Sequence, residues 1–260
     1  MQPKKTLGQH WLKDEATLKS ICQSADLKIN DVVLEIGPGL GDLTRQLLSQ
    51  AGHVIAVELD TDLANNLPAA PNLEIINTDI LKFDLTQLPP DYKVVANIPY
   101  YLTSNLIRVL SESANRPAAM TLLVQKEVAE RLAAKPGQMS LLSVSAQLYF
   151  SAVLGAMVTA DKFEPPPKVD SQVIILRRRP KVLFPELDEK LYFRIVKAGF
   201  AGRRKKLRGS LAAGLDIPKG HADKLLAAAS INGDLRAQNL SLQDWHKLYK
   251  AHQSTNMETG

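Results

Sequence analysis

The sequence predicts an α/β domain built on a mostly parallel sheet, followed by a small all-helical domain. Two observations carry this. In the first half, four strand-length, β-branched apolar runs alternate with helical patterns; beyond Pro180 every strand pattern disappears. Continuous apolar strands separated by helices belong to a parallel sheet covered on both faces.

In chain order, the strands are VVLEI (32–36), VIAVE (54–58), LEIIN (73–77) and KVVAN (93–97). Each ends at a polar or glycine position, and LTRQLLSQ, DLANNL and LTSNLIRVLSE follow with helical spacing. MTLLVQ (120–125) reads as a fifth strand and KEVAERLAA as the helix after it. LLSVSAQLYF has a helical pattern, while AVLGAMV and QVIILRR read as a closing strand pair around a proline-rich loop. After residue 180, LDEKLYFRIVKAGF, RKKLRGSLAAGL, HADKLLAAAS and LSLQDWHKLYKAH are all helical in period. The expected division is a domain over 1–180, a helical domain over 181–252 and a disordered tail over 253–260.

Composition narrows the function. The single cysteine, Cys22, cannot form an internal disulfide, which points to a reducing compartment. No apolar run approaches the ~20 residues of a membrane span. The amino-terminal MQPKKTLGQHWLKDE has no apolar core, so no secretory signal is expected and a cytoplasmic location is. The net charge is +5, but it is segregated: between Asp161 and Arg208 fourteen Lys/Arg face six Asp/Glu. A local surplus of this size suggests a polyanionic partner, and a solvated basic face is the plainer alternative.

The first strand runs into Glu35-Ile36-Gly37-Pro38-Gly39-Leu40-Gly41-Asp42. Glycines between strand and helix let the backbone turn sharply and approach a ligand closely. A dinucleotide fingerprint would need its third glycine where Asp42 stands, and a phosphate loop would need Gly-Lys-Ser/Thr. Gly37 and Gly39 after an acidic strand end instead suit a cofactor without phosphate that offers an ammonium, a carboxylate and a nucleoside, as S-adenosylmethionine does. Glu58, ending the second strand, can accept both ribose hydroxyls, although that alone does not separate this cofactor from NAD. Asp79, after the third strand, can accept from the adenine amine.

The fourth strand ends in Asn97-Ile98-Pro99-Tyr100. These residues suit methyl transfer to an exocyclic amine of adenine or cytosine, whose lone pair is delocalised into the ring. The Asn97 side-chain oxygen and the Ile98 carbonyl can accept the amine hydrogens and favour a more tetrahedral nitrogen. Pro99 fixes φ and keeps that carbonyl directed into the site. Tyr100 offers a face to an extruded base. No metal is required, because positioning and electrostatics carry the step.

GQHWL, EIGPGLGDLT, VIAVELD, NTDILKFD, NIPYYLTS, QKEVAERLAAKPG, FEPPPKVDSQVIIL and AGFAGRRKKLRGSL, taken in order, resemble the motifs of the ribosomal RNA adenine N6-dimethyltransferases, most nearly the small-subunit (16S) branch. The resemblance implies a Rossmann-like S-adenosylmethionine-dependent methyltransferase sheet with a helical RNA-binding domain. It implies dimethylation of two adjacent adenosines in a hairpin loop near the 3′ end of 16S rRNA, and a role in ribosome biogenesis. The implied cofactor contacts are His10, Leu12, Gly37, Glu58, Asp79 and Asn97. Two departures stand out: His10-Trp11 replaces the usual Asn-Phe, and Ala201-Gly202 stands where larger polar residues are common. Arg203, Arg204, Lys205, Lys206 and Arg208 remain as RNA-contact candidates, with Arg177, Arg178 and Arg179 as the alternative. The expected partner is 16S rRNA or the small subunit, bound by a monomer without metal or membrane. A 23S rRNA adenine methylase and a non-enzymatic assembly factor are the competing readings; the loop GPGLG and PPPKVDS favour the 16S branch, and intact Gly37, Glu58, Asp79 and Asn97 favour an enzyme.

Overall fold

The structure, a computed structural model, describes residues 3–4, 7–202 and 204–257. The chain divides into two compact units: Met1–Ala133 with Phe150–Arg179, and Ala134–Tyr149 with Pro180–Gly260.

The first unit begins with β1 (Trp11–Leu12), α1 (Glu15–Ser24), β2 (Val32–Ile36), α2 (Asp42–Leu48), β3 (His53–Glu58), α3 (Thr61–Ala64) and β4 (Leu73–Asn77). It continues with β5 (Lys93–Asn97), α4 (Thr103–Glu112), β6 (Ala119–Gln125) and α5 (Lys126–Leu132). After α6 (Leu141–Gln147), which lies in the second unit, it closes with β7 (Phe150–Val158), β8 (Phe163–Glu164) and β9 (Ser171–Arg178). One seven-stranded sheet has the order β4-β3-β2-β5-β6-β9-β7. The five strands from β4 to β6 are parallel, and β9 and β7 join antiparallel.

Both faces of the central strands are buried, as their continuous apolar runs require: Val33, Leu34, Val94, Val95, Leu122 and Leu123 are all 0% exposed. On one face Leu18, Ile21 and Cys22 of α1 join Leu43 and Leu47 of α2 in a cluster with Val33, Val54, Val95 and Val173. Burying a Leu or Ile side chain in this way stabilises by about 1.5–3 kcal/mol. α1 is missing from the sequence expectation, although Asp14 caps it by accepting from the Thr17 amide at 3.0 Å.

The chain leaves β2 for β3 and β4, then returns to the other side of β2 as β5. Adjacent strands whose connections diverge leave a crevice at their carboxyl ends. Glu35-Ile36-Gly37 and Asn97-Ile98-Pro99 are therefore brought to the same edge. The second sheet is only β1 paired with β8, Trp11 opposite Glu164 and Leu12 opposite Phe163. It fastens the amino-terminal segment to the proline-rich loop.

The second unit is helical: α6 is joined by α7 (Glu189–Phe200), α8 (Leu207–Leu215), α9 (Lys219–Ala228) and α10 (Leu242–Met257). Tyr192, Trp245 and Tyr249 are fully buried in it. The sequence expectation puts residues 134–149 in the first domain, but they gather with this unit. Gln238 is the reason: its carbonyl accepts from the Gly137 and Met139 amides at 2.8 and 3.1 Å, and its side chain donates to the Gly137 carbonyl at 2.9 Å. The expected disordered tail also needs correction. Residues 253–257 continue α10, with the Ser254 and Thr255 hydroxyls bonded to the Lys250 and Ala251 carbonyls at 3.2 and 2.9 Å, while 258–260 lie outside the described residues.

Candidate active site

Gly37, Gly39 and Gly41 all take left-handed φ, at 67°, 60° and 79°. At Gly39 an added Cβ would also crowd the Trp11 ring, lying 3.1 Å from Cδ1. The left-handed φ is what favours glycine there, and the crowding adds to it. The loop is tied to β3 by its amides: Gly37 donates to the Val57 carbonyl at 2.9 Å and Gly39 to Glu58 Oε2 at 3.1 Å. Glu58 Oε1 accepts from the Asp60 amide at 2.9 Å. Burial pushes the Glu58 carboxyl up from its ordinary pKa, and the Asp60 and Gly39 amides pull it back.

Two adjoining cavities open along this edge. One, of about 60 Å³, is lined by Glu35, Gly37, Gly39, Asn97, Pro99 and Tyr100, with His10, Leu12 and Ile98 also on its wall. The other, of about 240 Å³, is lined by Gly37, Glu58, Asp79, Pro99 and Tyr101. Gly37 and Pro99 belong to both. The fold thus places every cofactor and catalytic candidate from the sequence on the wall of one or other of these two cavities. Asp79 Oδ1 also accepts from the Leu81 amide at 3.0 Å, which fixes the start of its loop.

Asn97 is oriented by a residue far away in sequence. Its Nδ2 donates to the His10 carbonyl at 3.2 Å. A carbonyl can only accept, so the amide nitrogen must face it and Oδ1 is left as the acceptor at the cavity. His10 is itself held: its Nδ1 lies 2.7 Å from the Pro165 carbonyl, and its ring stacks on Tyr100 with centroids 5.7 Å apart. The amino-terminal segment is latched further along by Lys4 and Gln9, which donate to the two oxygens of Asp60 at 2.8 and 3.2 Å.

Several residues on this edge are absent from the site candidates that the sequence gives. Trp11, Phe163 and Gln9 line the crevice because β1 pairs with β8, and two-residue strands leave no periodicity to detect. Glu35 carries a visible signal, an acid inside an apolar strand. It is 1% exposed, neither carboxyl oxygen makes a hydrogen bond of regular geometry, and burial raises its pKa to about 8. The nearby Glu58 charge adds to the rise, and only the Thr44 hydroxyl opposes it.

The sign of that shift gives a stability prediction. A carboxyl whose folded pKa lies above its unfolded value, ~4.3, binds more protons folded than unfolded between the two. Its contribution therefore falls as pH rises from about 4 towards 8 and is flat above. Without cofactor, Glu35→Gln should melt several degrees above wild type at pH 8 and much closer to it at pH 4.5. Parallel melting curves across that range would mean that Glu35 is ionised in the folded protein.

The RNA-contact candidates lie in the helical unit and are not equivalent. Arg204 and Lys205 are exposed and make no ion pair among the described residues. Lys206 pairs with Asp234 at 3.1 Å, and Arg208 with Asp234 at 3.0 Å and Asp223 at 3.5 Å. Arg203 lies outside the described residues. Of the alternative set in the first unit, Arg178 is paired with Asp91 and donates to the Arg116 carbonyl at 2.8 Å.

The family model for ribosomal RNA adenine dimethylase matches residues 1–254. The chain belongs to that family. As a dimethylase it is similar to the ribosomal RNA small subunit methyltransferase A of Dehalococcoides mccartyi strain CBDB1, at 41% identity over 95% of this chain and 88% of that one. Among solved structures it resembles a dimethyladenosine transferase from Plasmodium falciparum, with a TM-score of 0.82 and 27% identity over 95% and 98% of the two chains. It also resembles the 23S rRNA methyltransferase ErmE, with a TM-score of 0.73 and 29% identity over 93% and 98%. Among the described residues of the dimethylase no helix is long and apolar enough to cross a membrane, and no three His, Cys, Asp or Glu side chains cluster as a metal site.

Proposed function

We propose that this dimethylase uses S-adenosylmethionine to dimethylate the N6 amines of two adjacent adenosines in small-subunit rRNA during ribosome biogenesis. The observation that carries this is the shared cavity, where the Asn97 side chain and Pro99 face the glycine loop at Gly37 and Gly39.

The residues present fit the cofactor. Glu35 is an orphaned buried carboxyl on the cavity wall, the group an incoming ammonium needs, since pairing would offset the cost of its burial. Glu58 and Asp79 line the larger neighbouring cavity, where a ribose diol and an adenine amine need acceptors. When bound, S-adenosylmethionine supplies an electrophilic sulfonium methyl group. Asn97 Oδ1 and the Ile98 carbonyl accept the hydrogens of the target amine and hold its lone pair towards the loop. Pro99 keeps the turn rigid, and the proton of the methylated amine leaves to water. His10 and Leu12 complete the cavity wall.

Glu58→Ala is expected to weaken cofactor binding by roughly 10–100-fold, the effect of losing hydrogen bonds to a charged acceptor, with a smaller change in kcat at saturation. Calorimetry with S-adenosylmethionine checks this, and unchanged affinity removes Glu58 from the site.

The function itself is tested by incubating the protein and labelled S-adenosylmethionine with under-methylated small subunits, large subunits and free rRNA, then mapping the product. Label in paired N6,N6-dimethyladenosines of the small-subunit RNA is expected. The likeness to a 23S rRNA methyltransferase supports a second reading, for which label would enter the large subunit instead.

A further inference from the structure

We propose that Ser171, at the end of the FEPPPKVDS segment, is a positioning residue for methyl transfer, its hydroxyl setting the tilt of the Tyr100 ring on which the target base stacks. The inference rests on the adenine-methylase reading above and adds a residue to which neither motif nor family match gives a role.

Tyr100 Oη lies 2.8 Å from Ser171 Oγ. Ser171 is 0% exposed and begins β9, where it pairs with Gln125 of β6 on one side and Val158 of β7 on the other. Asp170 beside it is fixed as well: its carbonyl accepts from the Lys126 amide at 3.0 Å and its carboxylate from the Ala160 amide at 3.1 Å. The hydroxyl is thus mounted on a strand paired along both edges. Tyr100, by contrast, sits in the turn between β5 and α4, which is pinned at its ends by Ile98 N to Leu123 O at 3.2 Å and Leu102 N to Pro99 O at 3.0 Å.

The ring is then constrained from two directions. Ser171 holds its hydroxyl end, and the His10 imidazole lies along one face, 24° from parallel. In this proposal the flat substrate takes the other face. Its neighbour Tyr101 shows what an untethered ring looks like here: it is 62% exposed, and its hydroxyl has no hydrogen-bond partner among the described residues. Burial raises the Tyr100 pKa, so the phenol stays protonated and the hydrogen bond persists at neutral pH. A base stacked on Tyr100 must also bring its amine to Asn97 Oδ1. A ring free to rock would misplace that amine, and a misplacement of about 1 Å costs up to ~10²-fold in rate.

The test is a double-mutant cycle with Ser171→Ala, Tyr100→Phe and the double variant, measuring kcat, RNA KM, cofactor affinity and melting temperature. Each single variant removes one end of the same bond and keeps the aromatic face. Each is expected to lower kcat by roughly tenfold, and the double variant should lose no more than either single one. Cofactor affinity and RNA KM should stay near wild type. Losses that multiply in the double variant, losses that follow a fall in melting temperature, or an unchanged kcat overturn the positioning role. A wild-type protein that methylates neither subunit overturns the methylase reading instead, and this role with it.

Discussion

Replacing Asn97 with Ala is expected to lower methyl transfer by roughly 10²–10³-fold, the usual cost of removing one preorganised group from a transition state. S-adenosylmethionine affinity should change only several-fold. The amide does two things in this structure, and they predict different losses. Its nitrogen holds the His10 carbonyl at 3.2 Å, a bond to the segment that walls the cavity. Losing that bond loosens the wall and costs a little cofactor affinity. Its oxygen is the acceptor left facing the cavity, and in the proposed mechanism it acts on the target amine only as the nitrogen becomes tetrahedral. An interaction made mainly in the transition state appears in kcat rather than in ground-state binding. Single-turnover kinetics at saturating RNA, paired with calorimetry for the cofactor, separate the two. Turnover near wild type would exclude the amide from the chemistry.

The parts of this site that can be read from sequence are those made locally. β2, β4 and β5 occupy the expected ranges because β-branched runs bounded by polar residues leave little choice. Strand ends then predict which side chains meet at the crevice, so Glu58, Asp79 and Asn97 can be assigned together. What is not legible depends on partners distant in the chain. The direction of the Asn97 amide is set by a carbonyl 87 residues earlier, and the tilt of Tyr100 by a hydroxyl 71 residues later. The Glu35 acid is visible, but its isolation is not, because only packing shows that no cation among the described residues reaches it. The helical pattern of LLSVSAQLYF does not say which unit it joins, and the turn before it is tied to the second unit by Gln238, about 100 residues later.

The basic segment before α8 gives the second large effect, and the structure divides it. Arg204→Ala with Lys205→Ala should weaken RNA or subunit binding and flatten its salt dependence. Every phosphate that is no longer neutralised should take ~1 unit off the slope of log K against log salt, and so up to ~2 units for the pair. Cofactor affinity and melting temperature should stay at wild type, since exposed charges outside ion pairs add little to folding. Lys206 should contribute less, because it must leave Asp234 to reach a phosphate. Arg208 is placed differently again. It bridges Asp234 and Asp223 of α9, and the loop that carries Asp234 also supplies carbonyls to the first amides of α8, Gly233 to Arg208 at 3.2 Å and Leu235 to Leu207 at 2.7 Å. Those amides are therefore not free to cradle a phosphate. Arg208→Ala should lower the melting temperature by a few degrees while changing the salt slope less than the Arg204/Lys205 pair does. Binding measured at four or more salt concentrations, with melting curves on the same samples, checks the whole set. If the Arg204/Lys205 variant keeps the wild-type slope, those two side chains are a solvated face and the RNA is held elsewhere.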